Sequence, residues 1–382
     1  MIWLKRTIQF LGSYGLSVVL LLALLLLVFF GTLEQTRMGL YEAQQKYFES
    51  IFLVHWLFGR LPLVLPGGYL LLALVFISML IGAIIRAPKR LTRPGLLIAH
   101  AGIIVLIVAG FVNHHYSVSG NMPLYEGAES NKFLNYFDWE LQVFEVKPES
   151  GIRCFVIPQE QFQKCTANKV AFFEEASLPF QLEISRYMQN SVAASGSGTL
   201  SVDNVILEEV EAAPSAEMNI PGMKIRILGD REEEGLLWGA QKAPLLVQVD
   251  DRQYSFSLTK KEYDLPFRLR LNEFIHEKHP GTDLPSMFAS KMLLLDGELS
   301  REVLIRMNEP LRYRGYTFYQ ASWGPTNAKE GDALYSVLAV TRNGITEHWP
   351  LYASCLISFG LLFHYGQVLL RYLKRSQKKS SA

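Results

Sequence analysis

PGLLIAHAGIIVLIVAGFV, residues 94–112, decides how the chain folds. Apart from one residue it is apolar on every side of a helix, and about 18 residues at roughly 1.5 Å each reach most of the way across a hydrocarbon layer of about 30 Å. The exception is His100. An ionisable side chain near the bilayer centre costs roughly 2.5 to 3.5 kcal/mol, so such a residue is expected to face a partner, a cavity or a cofactor.

Three more stretches have the same character: Ser13 to Leu33, Gly67 to Ile85 and Pro350 to Leu370. The sequence therefore predicts a membrane protein with four transmembrane helices, at 13–33, 67–85, 95–112 and 350–370. The first is too long for a signal-peptide core and has no A-x-A cleavage site after it, which predicts a retained anchor. Lys5 and Arg6 precede the first span, and Arg86, Lys89, Arg90 and Arg93 fill the loop after the second. Arg371, Lys374, Arg375, Lys378 and Lys379 follow the fourth. The positive-inside rule puts these basic segments, and both termini, in the cytoplasm. Residues 1–112 then form a membrane region with three helices. Residues 113–349 form an extracytoplasmic domain between the third and fourth helices, and 350–382 form the last helix and its basic tail.

The chain has 382 residues, 49% of them hydrophobic, and a formal net charge of +1, a balance that gives no case for nucleic-acid binding. Its three cysteines, Cys154, Cys165 and Cys355, make neither a CxxC redox motif nor a CxxCH heme-attachment site. Their spacing leaves a Cys154–Cys165 disulfide undecided. No nucleophile–base pattern, phosphate loop or metalloprotease spacing supports catalysis.

The segment 113–349 is expected to be β-rich, a sandwich or open sheet. LLVQVD, QYSFSL, FRLRL, KMLLL, REVLIRM, YTFYQ and YSVLAV have strand character, and Asp296-Gly297 and Asn343-Gly344 favour hairpins. AASGSGTLS (193–201) and the acidic REEEG (231–235) read as solvated loops. Residues 47–66, YFESIFLVHWLFGRLPLVLP, read as an external interfacial amphipathic helix with Trp56 as its anchor and His55 as a wet interface residue.

A neutral imidazole can ligate metal, so heme iron is the first candidate for His100. His100 lies seven residues beyond Arg93, and His364 seven before Arg371. The two are expected at similar depth, about 10 Å from the cytoplasmic charge boundary, which makes an intrachain bis-histidine heme site conceivable, with His364 the alternative ligand. Gly95, Gly102 and Ala109 share the opposite side of their helix, a small-residue strip suited to close packing, while Ile104, Ile107 and Phe111 lie on the side of His100. Gly360 and Gln367 share a side with His364, which suits an interhelical hydrogen-bond cluster equally well. His114 and His115 are expected at the outer interface. His276 and His279, in FIHEKHPG, make a weak zinc pattern, and His348 falls in the soluble part.

Several motifs occur together: GTLEQT (Gly31, Thr32, Gln35), YFESIFL (Tyr47, Phe48), HAGIIVLIVAG (His100, Gly102, Gly110), SGNMPLYEG (Gly120, Gly127) and NEPLRYRGYTFYQASW (Asn308 to Trp323). In these the chain resembles ResB-like proteins of system II cytochrome c biogenesis. The last motif is the most specific, with Asn308, Pro310, Leu311, Gly315, Tyr319 and Gln320 all in pattern. By its own logic it should make a turn before YTFYQASW, with Tyr316, Phe318 and Trp323 packing on one sheet face. Arg312 and Arg314 are candidates to meet heme propionates or a partner's carboxylates, since guanidinium pairs well with either.

The resemblance implies a membrane subunit, non-catalytic in itself, of a heme-transporting cytochrome c synthetase complex in the bacterial cytoplasmic (inner) membrane. It implies that heme b is carried outward, kept reduced and delivered to apocytochrome c together with a CcsA-type partner, and it leaves room for a thiol-reducing protein. One axial ligand then comes from this subunit, at His100, and the other from the partner. The six scattered tryptophans form no heme-presenting cluster, which the partner is expected to supply. Two alternatives stand beside this: a b-type cytochrome using both His100 and His364 for electron transfer, and a heme-free assembly scaffold.

Overall fold

The leucine-rich run after Ser13 has no polar face, and it forms a helix. A computed structural model describes residues 2–57, 60–85, 94–147, 151–166, 169–175, 178–196, 201–202, 205–229, 231–279, 281, 285–325, 333–342 and 348–380. The basic loop from Arg86 to Arg93 and the Asn343-Gly344 pair lie outside them. The helices are α1 (Ile2–Leu11), α2 (Tyr14–Met38), α3 (Leu40–Phe48), α4 (Gly68–Met79), α5 (Pro94–Tyr116), α6 (Gln159–Phe162) and α7 (Trp349–Ser380). The chain divides into two units, Met1–Ser117 with Arg342–Ala382, and Val118–Thr341.

In the first unit, α2, α5 and Trp349–Lys374 of α7 are long and apolar enough to cross a membrane. The second expected span, 67–85, is shorter as a regular helix: α4 has 12 residues and continues as a π-helical stretch over Leu80–Ile85. Ser13 caps α2 by accepting a hydrogen bond from the Leu16 amide at 3.2 Å, and Gly39, at φ 83°, ends the helix and lets α3 begin at once. Leu20, Leu27, Tyr47, Leu53, Leu71 and Val75 make the common core of α2, α3, α4 and the segment after α3. The Ser17 and Ser78 hydroxyls, 3.2 Å apart, add a polar tie between α2 and α4.

Residues 47–66 do not form the expected amphipathic helix. After α3 the chain makes an antiparallel hairpin of β1 (Phe52–Leu57) and β2 (Leu61–Pro66), in register from Phe52 opposite Pro66 to Leu57 opposite Leu61. Pro62 and Pro66 lack the amide a helix interior needs, and both fit an edge strand. Burial in β1 alternates with period two: Leu53 and His55 are buried, whereas Phe52, Val54 and Trp56 are exposed.

α5 and α7 pack through the small-residue strip. Gly95, Ala99, Gly102 and Ala109 are buried, and a Cβ added at Gly95 would stand 2.5 Å from Gly360 O and 2.6 Å from His364 N. One added at Gly102 would meet Ile357 Cγ1 at 2.7 Å. The backbones approach this closely because no side chain lies between them.

The second unit is built of β-strands. These are β3 (Val118–Tyr125), β4 (Glu129–Lys147), β5 (Gly151–Pro158), β6 (Ala171–Phe173), β7 (Gln181–Met188) and β8 (Ser191–Ser195). There follow β9 (Ser201–Val202), β10 (Val205–Glu209), β11 (Gly222–Leu228), β12 (Glu232–Trp238), β13 (Leu245–Val249) and β14 (Arg252–Lys278). The last are β15 (Pro285–Asp296), β16 (Leu299–Arg306), β17 (Leu311–Tyr313), β18 (Tyr316–Gly324) and β19 (Tyr335–Arg342). The main sheet runs β16-β15-β14-β4-β3-β19-β18-β17, with β13 on β14 and β5 on β4; a second sheet runs β12-β11-β7-β6 and a third β8-β10-β9.

There are two cores. One gathers Leu141, Phe162, Ile184, Ile225, Tyr254 and Phe256, the other Met122, Phe133, Leu269, Met292, Phe318 and Leu338. β4 and β14 run through both, and β14 shifts register between Lys260 and Glu262 and again between Asp264 and Leu269, around Pro266. At the first shift Lys260 Nζ lies 4.6 Å from the Trp139 ring and donates to Tyr136 O at 2.5 Å. Burial pulls its pKa down to about 8, against the opposing pull of Asp138 and Glu217.

Neither expected loop in this unit survives intact. REEEG opens β12, where the exposed Glu234 lies 2.7 Å from Lys224 and 3.3 Å from Arg226 on β11, so the acidic run is one half of a cross-strand charge pattern. AASGSGTLS contributes to β8 and β9, with 197–200 outside the described residues. Cys165 is a buried free thiol, and burial raises its pKa; the Cys154 side chain lies outside what the structure describes.

Candidate functional site

His100 stands on α5 about 140° round from Gly95, away from the seam with α7. Its Nδ1 is 2.7 Å from Leu96 O, one turn back in the same helix. Since the carbonyl can only accept, Nδ1 carries the proton and donates, and the lone pair is on Nε2. No hydrogen bond or ion pair reaches that Nε2 among the described residues. A metal-binding histidine commonly has this arrangement, the far ring nitrogen held by a backbone carbonyl and the near one left to ligate. With Ile104 and Ile107 on the same side, the surroundings suit a porphyrin face, so these residues fit heme.

His364 lies elsewhere. Its backbone touches the Gly95 side of α5, and Gly360 is level with Ala99, so the His364 backbone is offset from that of His100 by about five residues, roughly 7.5 Å along the axis. The two backbones are not level, and the space between α5 and α7 at Gly95 and Gly360 is filled by their own backbones. His364 Nδ1 is buried without a hydrogen-bond partner among the described residues, and Gln367 accepts from Arg371 at 3.3 Å. The structure thus does not bring His100 and His364 together.

At the far end of α5, His115 Nδ1 is 3.0 Å from Phe111 O, and His114 Nε2 is 3.5 Å from Glu49 Oε1. His55, expected at a wet surface, is buried instead: its Nδ1 shares a 2.6 Å hydrogen bond with Tyr47 Oη and lies 3.7 Å from Glu34 Oε2, with the Phe30 ring at 4.6 Å. Burial, reinforced by Glu34, pushes the Tyr47 phenol up to about 12. This cluster escaped the sequence, although the period-two burial of Leu53 and His55 was its signal.

In the second unit His276 and His279 belong to no cluster of three or more metal-ligating side chains among the described residues; for His276 the neighbours are aromatic. Its ring stacks 4.5 Å from Trp323 and 5.1 Å from Phe288, while His279 is exposed. His348 lies at the start of α7, its ring 6.1 Å from that of Tyr352. The Asn308–Trp323 segment turns sharply at Arg314 and Gly315, both at positive φ (48° and 77°), with Tyr313 opposite Tyr316. Arg314 is committed to Asp296 at 2.7 Å, and Tyr313 Oη donates to the same carboxylate at 2.7 Å. Arg312 stands 3.5 Å from Thr317 Oγ1. Tyr316 and Phe318 enter the core, whereas Trp323, out of phase with them, reaches it by stacking on Phe274 at 5.8 Å.

This turn and its strands lie inside a stretch that matches a known family. Residues 236–351 are ResB-like. The ResB-like stretch runs from the end of β12 through β19 to the first residues of α7, and does not include His100. The protein NrfI of Wolinella succinogenes is 36% identical over 77 residues, 20% of this chain and 8% of NrfI. The cytochrome c biogenesis protein CcsB of Synechococcus sp. (strain RCC307) is 36% identical over 72 residues, 18% of this chain and 16% of that protein. CcsB of Picosynechococcus sp. is 32% identical over 99 residues, 23% of this chain and 21% of that protein. The aligned stretches thus span about a fifth or less of these relatives. Within the ResB-like stretch, Ser290, Gln320 and Ser336 form a hydrogen-bond network linking β15, β18 and β19 (2.6 Å from Ser290 Oγ to Gln320 Oε1, 2.8 Å to Ser336 Oγ). Gln320 therefore serves the sheet.

Proposed function

We propose that the chain is a membrane subunit of the cytochrome c biogenesis machinery that takes heme b through the membrane by way of His100 and passes it outward to apocytochrome c. The observation that carries this is the His100 imidazole: it lies in an apolar helix, its Nδ1–H is held by Leu96 O at 2.7 Å, and residue 100 stands about 140° round the helix from the Gly95 contact with α7. The names of the CcsB relatives and the ResB-like stretch supply the biological setting. In this reading the chain itself binds and orients. Leu96 O holds the tautomer, and the Gly95–Gly102 seam fixes α5 against α7. A CcsA-type partner supplies the opposite ligand, and His364 is the alternative. A thiol-reducing protein belongs to the same pathway.

The membrane arrangement that fits has four crossings, the π-helical stretch lengthening α4 into the second. Both termini lie in the cytoplasm of a bacterial inner membrane, and the β-rich unit lies outside. A b-type cytochrome held by both histidines of one chain is disfavoured by the closed seam between α5 and α7.

The test is His100→Gly. Heme retained by the purified complex should fall, and cytochrome c maturation should fail and return in part with added imidazole. Normal maturation in the substituted strain without imidazole would sink the assignment.

A further inference from the structure

His115 repeats the local arrangement of His100. In both, Nδ1 donates to the carbonyl four residues back: Leu96 O at 2.7 Å for His100 and Phe111 O at 3.0 Å for His115. In both, Nε2 is left without a hydrogen bond or ion pair among the described residues. The two rings are about four turns apart, roughly 22 Å along the axis, and only about 60° apart round it. Ile104, Ile107 and Phe111 occupy the same side between them, and the opposite side is the strip closed against α7.

The surroundings of His115 separate it from its neighbour. His114, edge-on at 5.1 Å, has its Nε2 beside the Glu49 carboxylate, so that imidazole already has a partner. His115 is exposed and flanked by two aromatic rings, Phe111 at 4.2 Å and Tyr69 at 6.0 Å, both inclined at about 33° to 34°. A free imidazole nitrogen beside tilted aromatic faces suits an iron-bearing planar macrocycle.

We propose that His115 Nε2 is a second ligand position for heme iron, at the end of α5 remote from the basic loop, so that one helix face has a heme station at each end. This rests on the proposed role of α5 in heme handling, although it does not require that His100 be the first station.

Full-length protein in nanodiscs of phosphatidylcholine and phosphatidylglycerol, titrated with hemin and reduced with dithionite, gives the test through the absorption spectrum and the heme bound per chain. The expected result is that His100→Ala keeps imidazole-ligated heme and that adding His115→Ala to it weakens binding by more than the roughly 10- to 100-fold that loss of an outer-shell partner costs. His115→Met in the His100→Ala background should hold heme with a shifted spectrum, which a misfolded protein would not do. Three other outcomes are decisive. If His100→Ala alone removes all imidazole-ligated heme while His115→Ala matches the parent, the second station is refuted and His100 stands. If the double variant retains heme unchanged, both assignments fall. If only His115→Ala removes heme, the second station stands and the His100 assignment falls.

Discussion

Replacing Gly95 by Ala should destabilise the helical unit, although the same change at Gly110 of the same helix should not. Alanine gains about 1 kcal/mol over glycine in a helix interior. At Gly95 the new Cβ would stand 2.5 Å from Gly360 O, and ordinary contact begins near 3.4 Å, so the seam must widen by about 0.9 Å. The obstacles are the Gly360 carbonyl and the His364 amide, which cannot swing aside as a side chain would. A gap of 0.5 to 1 Å forfeits roughly a quarter to a half of each dispersion well along the contact, and overpacking of this kind costs about 1 to 3 kcal/mol. The net expectation is a loss of up to about 2 kcal/mol. Gly110 has nothing within 4 Å of its virtual Cβ, so Gly110→Ala should be neutral or stabilising by up to about 1 kcal/mol. The full chain in dodecyl-maltoside micelles, unfolded by increasing SDS and followed by tryptophan fluorescence, reports both. Midpoints for the two variants that agree within about 0.5 kcal/mol would show that the α5–α7 backbones are not in contact at Gly95.

Two further outcomes follow from groups whose surroundings are set. Tyr47→Phe removes the hydroxyl that satisfies His55 Nδ1 at 2.6 Å, which should cost about 1 to 3 kcal/mol and speed proteolysis at the β1–β2 hairpin; an unchanged cleavage rate would mean that this cluster does not hold the hairpin. Lys260 has its folded pKa lowered from 10.5 to about 8, so its burial destabilises the β-rich unit in full below pH 8 and ceases to do so as pH approaches 10.5. Stability should therefore rise through that window by about 1 to 2 kcal/mol after discounting for partial exposure, and Lys260→Met should lack that rise. Parallel pH profiles for the two proteins would refute it.

How far the sequence reveals these features depends on how local the determining physics is. Residues 245–249, 291–295 and 335–340 are visibly strands because their apolar and β-branched residues alternate or cluster over lengths typical of strands, and they lie in β13, β15 and β19. FLVHWLFGRLPLVLP is apolar in both phases and too short for periodicity to separate helix from hairpin; Pro62 and Pro66 carried the distinction. REEEG looked like a solvated loop because the cations that pair with it, Lys224 and Arg226, are on the preceding strand. At the candidate site, one imidazole in an apolar run is conspicuous in the sequence. Its carbonyl partner and the axial offset of His364 depend on rotamer and helix crossing, which no spacing rule records.

β14 is 27 residues long and contributes to both cores of the β-rich unit, with β4 beside it for much of its length. A single nick near Asp264 would leave each fragment with an unfinished interior. Neither half can be expected to persist as a separate module, and evolution or engineering must retain or discard the two together.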